Sequence, residues 1–192
     1  MRSRALLFLP LLLAAQVAFA GPIQIGFGGG ASVPVSDAKH AFKTGWHGSG
    51  IVRLNVPMMP FGLQGNFTYN HFKLDEPNVG FGGSGRILSG IADARFSLPI
   101  PGPIKPYLLA GVGGYNIKAD PDESAGTVDT QSTTKFGINA GGGVGIKFPG
   151  IPVHAFIEGK LENIYTDQGV NTAVTQNVKT QIVPVTFGIF LF

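Results

Sequence analysis

The sequence lacks cysteine altogether, carries few charges, and has no long apolar run after its first twenty residues. Without cysteine, neither a disulfide framework nor a thiolate zinc site can form. Only 13% of the 192 residues are charged, and a formal net charge of +3 is too small a basic bias for a nucleic-acid-binding protein. Glycine and proline account for 43 residues, about twice their usual share, and both disfavour helices. The composition therefore disfavours a helical protein and predicts no nucleic-acid partner.

Residues 1–20, MRSRALLFLPLLLAAQVAFA, have the three parts of a secretory signal peptide. Two arginines come first, an apolar core follows from Ala5 to about Ala15, and the small-x-small triplet of residues 18–20 ends the segment. The apolar core is shorter than the ~20 residues of a membrane-spanning helix. We predict that residues 1–20 are removed and that residues 21–192 form one domain. Loss of the two arginines leaves 12 basic and 11 acidic residues.

The remaining sequence alternates between apolar and polar residues with a period of two, which is the signature of β-strands. The clearest case is residues 135–148, KFGINAGGGVGIKF, where the apolar face has an aromatic residue at each end. A strand of this length, tilted by ~40°, covers roughly 33 Å, enough for an apolar band ~25 Å tall. Seven other segments also predict strands. The first begins near Ile23, and the other six cover 46–56, 61–69, 88–98, 107–117, 153–165 and 181–192.

The connections between these eight strands alternate in length. Three are tight and rich in proline, at 57–60, 99–103 and 149–152. Four are longer and polar, at about 34–44, 74–85, 118–134 and 166–179. Short turns at one rim and long loops at the other are typical of an up-and-down barrel. The predicted fold is all-β, an eight-stranded antiparallel up-and-down transmembrane β-barrel with both termini on the periplasmic side.

The charges on the polar face decide which face is inside. A soluble lipocalin-like barrel would put apolar residues inside, but here the other face carries the aromatics. A charge on a lipid face costs about 2–4 kcal/mol near the bilayer midplane. The polar face therefore lines the lumen, where three positive and three negative side chains neutralise one another and largely plug it. This predicted charge network consists of Arg53, Asp93, Arg95, Glu158, Lys160 and Glu162.

The aromatic residues of the apolar face are expected to form girdles at the two membrane interfaces. The girdle predicted from the alternation consists of Trp46, Phe61, Tyr69, Tyr107, Tyr115, Phe136, Phe148 and Tyr165.

Three segments, 105–115, 137–144 and 184–192, resemble strands of the outer-membrane β-barrel family that groups opacity proteins, outer-membrane protein A-like barrels and small "porin family" proteins. The resemblance covers the whole chain after residue 20. It implies the outer membrane of a Gram-negative bacterium, with outer-membrane lipid and lipopolysaccharide as surroundings. Phe190 and the terminal Phe192 resemble the family's signal for the barrel-assembly machinery, whereas Gly188, Thr186 and Pro184 depart from its apolar alternation.

The resemblance fixes the function less closely than the fold, because the family includes adhesins, structural anchors and small pores. The first hypothesis is a monomeric, non-enzymatic barrel with a structural or surface-interaction role, whose loops contact an unknown ligand. The second is a narrow pore for ions or small solutes. The third is an enzyme that modifies outer-leaflet lipid through His47 and Ser49. The sequence predicts no catalytic residue set, metal or cofactor, since the four histidines form no ligand motif.

Overall fold

A computed structural model describes residues 23–40, 42–75, 82–121, 132–148, 150–166 and 178–191. Eight antiparallel strands pair in sequence order and close into a barrel, which confirms the predicted fold class. A short 3-10 helix, Ser36–His40, follows the first strand. The strands are β1 (Ile23–Val35), β2 (Gly45–Asn55), β3 (Phe61–Lys73), β4 (Gly83–Ser97), β5 (Ile104–Pro121), β6 (Thr133–Lys147), β7 (Val153–Thr166) and β8 (Val178–Leu191).

The barrel closes where β1 pairs with β8, from Ile25 opposite Leu191 to Val35 opposite Gln181. The three tight connections lie at the rim that also holds the start of β1 and the end of β8, and we call it the turn rim. The four longer connections lie at the opposite end, the loop rim. They are shorter than predicted because the strands extend further, as β5 does to Pro121. The predicted signal peptide lies outside the described residues, and no helix in the described part is long and apolar enough to cross a membrane.

The alternating faces divide as predicted on most strands. In β3 every second residue from Gly62 to Phe72 is buried in the lumen, while Phe61, Leu63 and Phe67 are exposed on the outer face. Large apolar side chains are exposed around the outside of the barrel, including Val52, Val112, Phe136, Leu161 and Phe187. An apolar outer face with buried polar side chains inside is the reverse of a water-soluble barrel.

Strand β5 has the opposite orientation to the one predicted. Tyr107 and Tyr115 were assigned to the outer girdle, but their exposed fractions are 2% and 0%, and Leu109 is buried beside them. The residues outside are Leu108, at 56%, and Val112. Both faces of this strand are apolar, so its alternation does not distinguish inside from outside.

The glycines of β6 explain why the two tyrosines point inward. A Cβ atom on Gly143 would lie 2.5 Å from the Tyr107 hydroxyl, and one on Gly137 would lie 2.7 Å from Cε2 of Tyr115. Each tyrosine thus fills the space left by a glycine on the neighbouring strand. The absent side chains on β6 make room in the lumen for the large ones on β5.

Phe190, assigned to the assembly signal, also faces the lumen and is buried against Phe156, with ring centroids 4.8 Å apart. The outer face of β8 instead carries Phe187 and Ile189. The apparent departures in the terminal pattern follow from this orientation, because Pro184, Thr186 and Gly188 share the inward face of Phe190. Phe192 lies outside the described residues, and the assembly signal stays a prediction.

Candidate functional site in the barrel lumen

A network of charged and amide side chains crosses the middle of the lumen. Glu158 is its centre: its carboxylate lies 3.4 Å from Nη2 of Arg53 and 3.4 Å from Nζ of Lys160. Gln64 donates to both carboxylate oxygens at 3.2 and 3.0 Å, and the Tyr107 hydroxyl donates to Oε2 at 2.9 Å. The carboxylate is therefore paired and hydrogen-bonded, as a buried charge must be to remain charged.

Lys160 connects this centre to the other side of the barrel. Its Nζ donates to Oδ2 of Asp93 at 3.0 Å, and the amide of Asn66 donates to the same oxygen at 2.7 Å. Arg53 completes the network by donating to Gln64 at 2.5 Å and to Tyr107 at 2.8 Å. The pocket between Asn66, Glu158 and Lys160 has a volume of only about 10 Å³, which is room for about one water molecule.

The predicted charge set is thus partly joined. Ion pairs connect four of its members, Arg53, Glu158, Lys160 and Asp93. Glu162 is buried in the lumen, and its Oε2 has no hydrogen-bond partner among the described residues. Arg95 lies nearer the turn rim and donates to Ser97 at 2.6 Å and to Asn55.

An apolar cluster that the sequence did not predict fills the lumen on the loop side of the network. Its buried members come from β3, β4, β5, β7 and β8, and Phe42 and Ile117 pack against them. Phe42 and Phe72 are in ring contact, with centroids 5.6 Å apart. The buried members of this apolar cluster are Phe72, Ile87, Ile91, Tyr115, Ile164 and Ile182. The pattern that would have revealed it is the change from polar to apolar inward residues between Asn70 and Phe72.

A cavity opens on the turn side of the network. Its volume is about 340 Å³, and its walls include Arg95, Lys105, Lys147 and His154, with Arg53 and Tyr107 also in the lining. No aspartate or glutamate of the described residues lines it. We call this cavity the vestibule. Sequence reasoning placed only Arg53, Arg95 and Tyr107 of these residues in a predicted set, and it placed Tyr107 on the wrong face.

His47 and Ser49, the candidate catalytic pair, do not contact each other. His47 is buried, its Nδ1 lies 2.9 Å from Oγ of Ser32 and its Nε2 lies 2.9 Å from Oγ1 of Thr186. Because the Ser32 hydroxyl donates to Asn70 at 2.5 Å, Nδ1 of His47 donates to Ser32, and in the neutral ring Nε2 accepts from Thr186. The Ser49 hydroxyl is hydrogen-bonded to Thr68 at 2.9 Å. Both histidine nitrogens are thus hydrogen-bonded to other hydroxyls, and Ser49 is hydrogen-bonded to Thr68.

The other six residues of the predicted girdle point outward or lie part-buried at the outer surface. Near the loop rim, the ring centroids of Trp46 and Tyr69 lie 5.8 Å apart, and Phe136 stacks on Tyr165 with an interplanar angle of 7°. Near the turn rim, the ring centroids of Phe61 and Phe96 lie 5.1 Å apart, and Phe148 is exposed. Aromatic side chains therefore lie on the outer surface near both rims, and Phe96 is one that the predicted set omitted.

Comparison with known proteins gives a family and several similar structures. The family model described as "Outer membrane protein beta-barrel domain" matches residues 5–189. The neisserial surface protein A is 15% identical, with a TM-score of 0.61 over 89% of this chain and 97% of that chain. Ail of Yersinia pestis, solved with the heparin analogue sucrose octasulfate, is 18% identical, with a TM-score of 0.54 over 88% of this chain and 96% of that chain.

A major outer membrane protein from Thermus thermophilus is 10% identical, with a TM-score of 0.57 over 88% of this chain and 98% of that chain. These structures share the fold at low sequence identity. No curated protein matches the sequence significantly.

Proposed function

Because the chain belongs to the outer membrane protein β-barrel domain family, we propose that it is a structural barrel of a Gram-negative outer membrane, closed to solutes and able to contact molecules at the cell surface. Membership of the family locates it in the outer membrane. The turn rim faces the periplasm in this proposal, and the loop rim faces the outside.

The observation that carries the proposal is the presence of two barriers in series along the lumen. The charge network crosses the barrel from Arg53 to Glu158, Lys160 and Asp93, and the apolar cluster fills the section above it. An ion on this path would have to displace buried ion pairs and then pass between the large apolar side chains of the cluster, where few polar groups replace its water shell, and this is unfavourable. A narrow pore is therefore the less supported alternative.

The hydrogen-bond partners of His47 also make the enzymatic alternative the less supported one. General-base catalysis needs a nucleophile within hydrogen-bond reach of the base. The only hydroxyls hydrogen-bonded to His47 in the described residues are those of Ser32 and Thr186, and all three residues are buried inside the barrel. A lipid in the outer leaflet has no access to them.

Single-channel recording of the refolded protein in planar bilayers tests closure. We expect no discrete conductance steps, with folding established by heat-modifiable gel mobility. Reproducible steps that change in Arg53→Ala or Glu158→Ala would contradict the proposal and support the narrow pore. Glu158→Gln removes the charge but keeps the side-chain shape, so its comparison with Glu158→Ala separates the effect of charge from the effect of side-chain size.

The surface role is supported by a row of outward residues at the loop rim. Trp46, His71, Arg86 and Lys118 lie directly opposite one another across β2 to β5. Arg86 is exposed, and Trp46 contacts both Tyr69 and His71. Arg86 beside these aromatic rings matches the phosphate groups and acyl boundary of outer-leaflet lipopolysaccharide, whereas Lys118 is paired with Asp120 at 2.7 Å.

Thermal unfolding in two lipid environments tests this contact. We expect lipopolysaccharide-containing vesicles to raise the unfolding temperature relative to phosphatidylcholine vesicles, and Arg86→Gln to reduce that gain. Lys105→Gln, which removes the same charge near the turn rim, is the matched control. An equal gain in Arg86→Gln and the original protein would contradict a specific contact at this row.

A further inference from the structure

The vestibule has an unbalanced charge that the proposed structural role does not use. Four cationic side chains line it, together with His154 and no carboxylate of the described residues. Arg53 is already paired with Glu158 at 3.4 Å. In the described part of the chain, no carboxylate forms an ion pair with Arg95, Lys105 or Lys147. The open end of the lumen thus carries three uncompensated positive charges.

Strand register brings these charges close together rather than apart. Lys147 lies directly opposite His154, and Lys105 lies opposite Gly145, two residues before Lys147 on the same face of β6. Lys105 and Lys147 are therefore diagonal neighbours on the lumen face, within reach of each other's long side chains, and two like charges at that separation repel each other. An anion between them would reverse the sign of that interaction.

Arg95 offers a ready donor to such an anion. Among the described residues its guanidinium donates only to neutral side chains, from Nη1 to Ser97 and from Nη2 to Asn55. Each terminal nitrogen keeps a second N–H for an anion, while Nε is buried without a partner among the described residues. The Arg53 and Arg95 guanidinium carbons lie 4.6 and 5.6 Å from the centroid of the same Tyr107 ring. The planar donors of arginine match the oxygens of phosphate and carboxylate groups.

His154 adds an imidazole ring to the same wall. The amide nitrogen of Gln24 lies 3.3 Å from its Nδ1, and an amide N–H can only donate. The neutral ring therefore carries its proton on Nε2. The vestibule combines ammonium, guanidinium and imidazole donors without an anionic acceptor among the described residues.

We propose that the vestibule is a binding site for a soluble anion with phosphate groups, which enters from the turn rim. The volume of about 340 Å³ is at the lower end of the range of ligand pockets, about 300–1,000 Å³, and leaves room for a compound with more than one phosphate. The lining side chains belong to the lumen face, as the pairing of Lys147 with His154 and of Gln24 with Arg53 indicates. Lipid headgroups lie outside the barrel wall, so a soluble ligand is the better match.

Titration calorimetry with inorganic pyrophosphate tests the site, using the refolded protein in uncharged detergent micelles. We expect saturable binding to one site and a higher unfolding temperature in the presence of pyrophosphate. Arg95→Gln and Lys147→Gln should each weaken binding about tenfold or more, the effect of losing one charge-assisted hydrogen bond. Lys147→Gln, near the rim, keeps the test valid where Arg95→Gln fails to fold.

Lys39→Gln is the matched control, because it removes one exposed positive charge at the loop rim and leaves the vestibule intact. An equal loss of affinity in Lys39→Gln, or no binding at millimolar pyrophosphate, would overturn the proposal. A second arm uses nanodiscs of phosphatidylcholine with and without phosphatidylglycerol. Binding that appears only with phosphatidylglycerol and depends on Lys147 would assign these charges to lipid headgroups and would equally overturn the soluble ligand.

Discussion

The guanidinium carbon of Arg53 lies 3.8 Å from the centre of the Phe190 ring, while its Nη2 lies 3.4 Å from the Glu158 carboxylate. One cation is thus held between an aromatic face on the last strand and an acid on the strand before it. Cation–π contacts are worth about 2 kcal/mol or more when they are desolvated. The lumen of this barrel therefore contains a packed core in which charges and aromatic rings are interdependent.

Replacement of Lys160 by methionine should be the most damaging single change in the network. Lys160 is the cation bonded to Asp93 and also contacts Glu158, so its loss leaves two buried carboxylates with fewer partners. Removal of one member of a buried ion pair costs about 3–5 kcal/mol. We expect this loss in the free energy of unfolding by urea. Lys39→Met, exposed at the loop rim, should change stability little, and equal values for the two variants would contradict a stabilising role for Lys160.

Single changes should not open the lumen, because the two barriers act in series. Arg53→Ala weakens the network and leaves the apolar cluster, while Phe72→Ala creates a cavity in the cluster and leaves the network. We expect both variants to be silent in planar bilayers and the double variant to show conductance steps. Heat-modifiable mobility must first establish that each variant is folded. Steps in Arg53→Ala alone would show that the apolar cluster is no barrier.

The orientation of β5 can be tested with single cysteines, since the sequence contains none. Leu108→Cys should react with a lipid-soluble maleimide, because Leu108 is exposed on the outer face. Leu109→Cys should react only after unfolding, because Leu109 is 3% exposed inside the lumen. Labelling yield by mass spectrometry measures both. The opposite pattern would restore the predicted orientation, with Tyr107 and Tyr115 outside.

Two glycines on the same face of β6 should differ in their tolerance of alanine. A Cβ on Gly143 would lie 2.5 Å from both the Ile157 carbonyl oxygen and the Tyr107 hydroxyl, whereas a Cβ on Gly145 would meet its nearest atom at 3.7 Å. Overpacking of this kind costs about 1–3 kcal/mol. We expect Gly143→Ala to lower the free energy of unfolding by that amount and Gly145→Ala to leave it nearly unchanged. Equal losses of stability in the two variants would mean that the backbone propensities of glycine and alanine, and not the space around the new Cβ atom, determine the change.

The fold could be predicted from the sequence because the loop rhythm and the alternation on β2, β3, β4 and β7 agree with one another. Strand β5 could not, since Tyr107, Leu108, Leu109 and Val112 are apolar on both faces and only the glycines of a neighbouring strand decide between them. A period-two pattern reports burial within one strand and contains no information on complementary volumes across strands.

The charged part of the candidate site followed from a solvation argument, because Arg53, Asp93, Glu158 and Lys160 all share the polar face. The apolar cluster did not follow from it. Phe72, Ile87 and Ile164 are large apolar residues like those on the outer face, so a solvation argument does not place them in the lumen. The vestibule depends on which charges remain unpaired, and that is set by side-chain geometry. Lys160 is buried beside two acids, whereas Lys105 and Lys147 lie nearer the rim, are less buried, and have no ion pair with an acid of the described residues.

The bond between Lys160 and Asp93 joins β7 to β4, two strands that share no backbone hydrogen bonds, and the bond between Arg53 and Glu158 joins β2 to β7. These two ion pairs are cross-links through the lumen between strands that are not neighbours in the sheet. Lateral pressure from the membrane can flatten an empty barrel by bending its wall, but here flattening changes the distance between the ion-paired strands and so stretches or compresses the ion pairs. The cross-section is therefore held round from the inside, and the wall strands can remain rich in glycine without loss of shape.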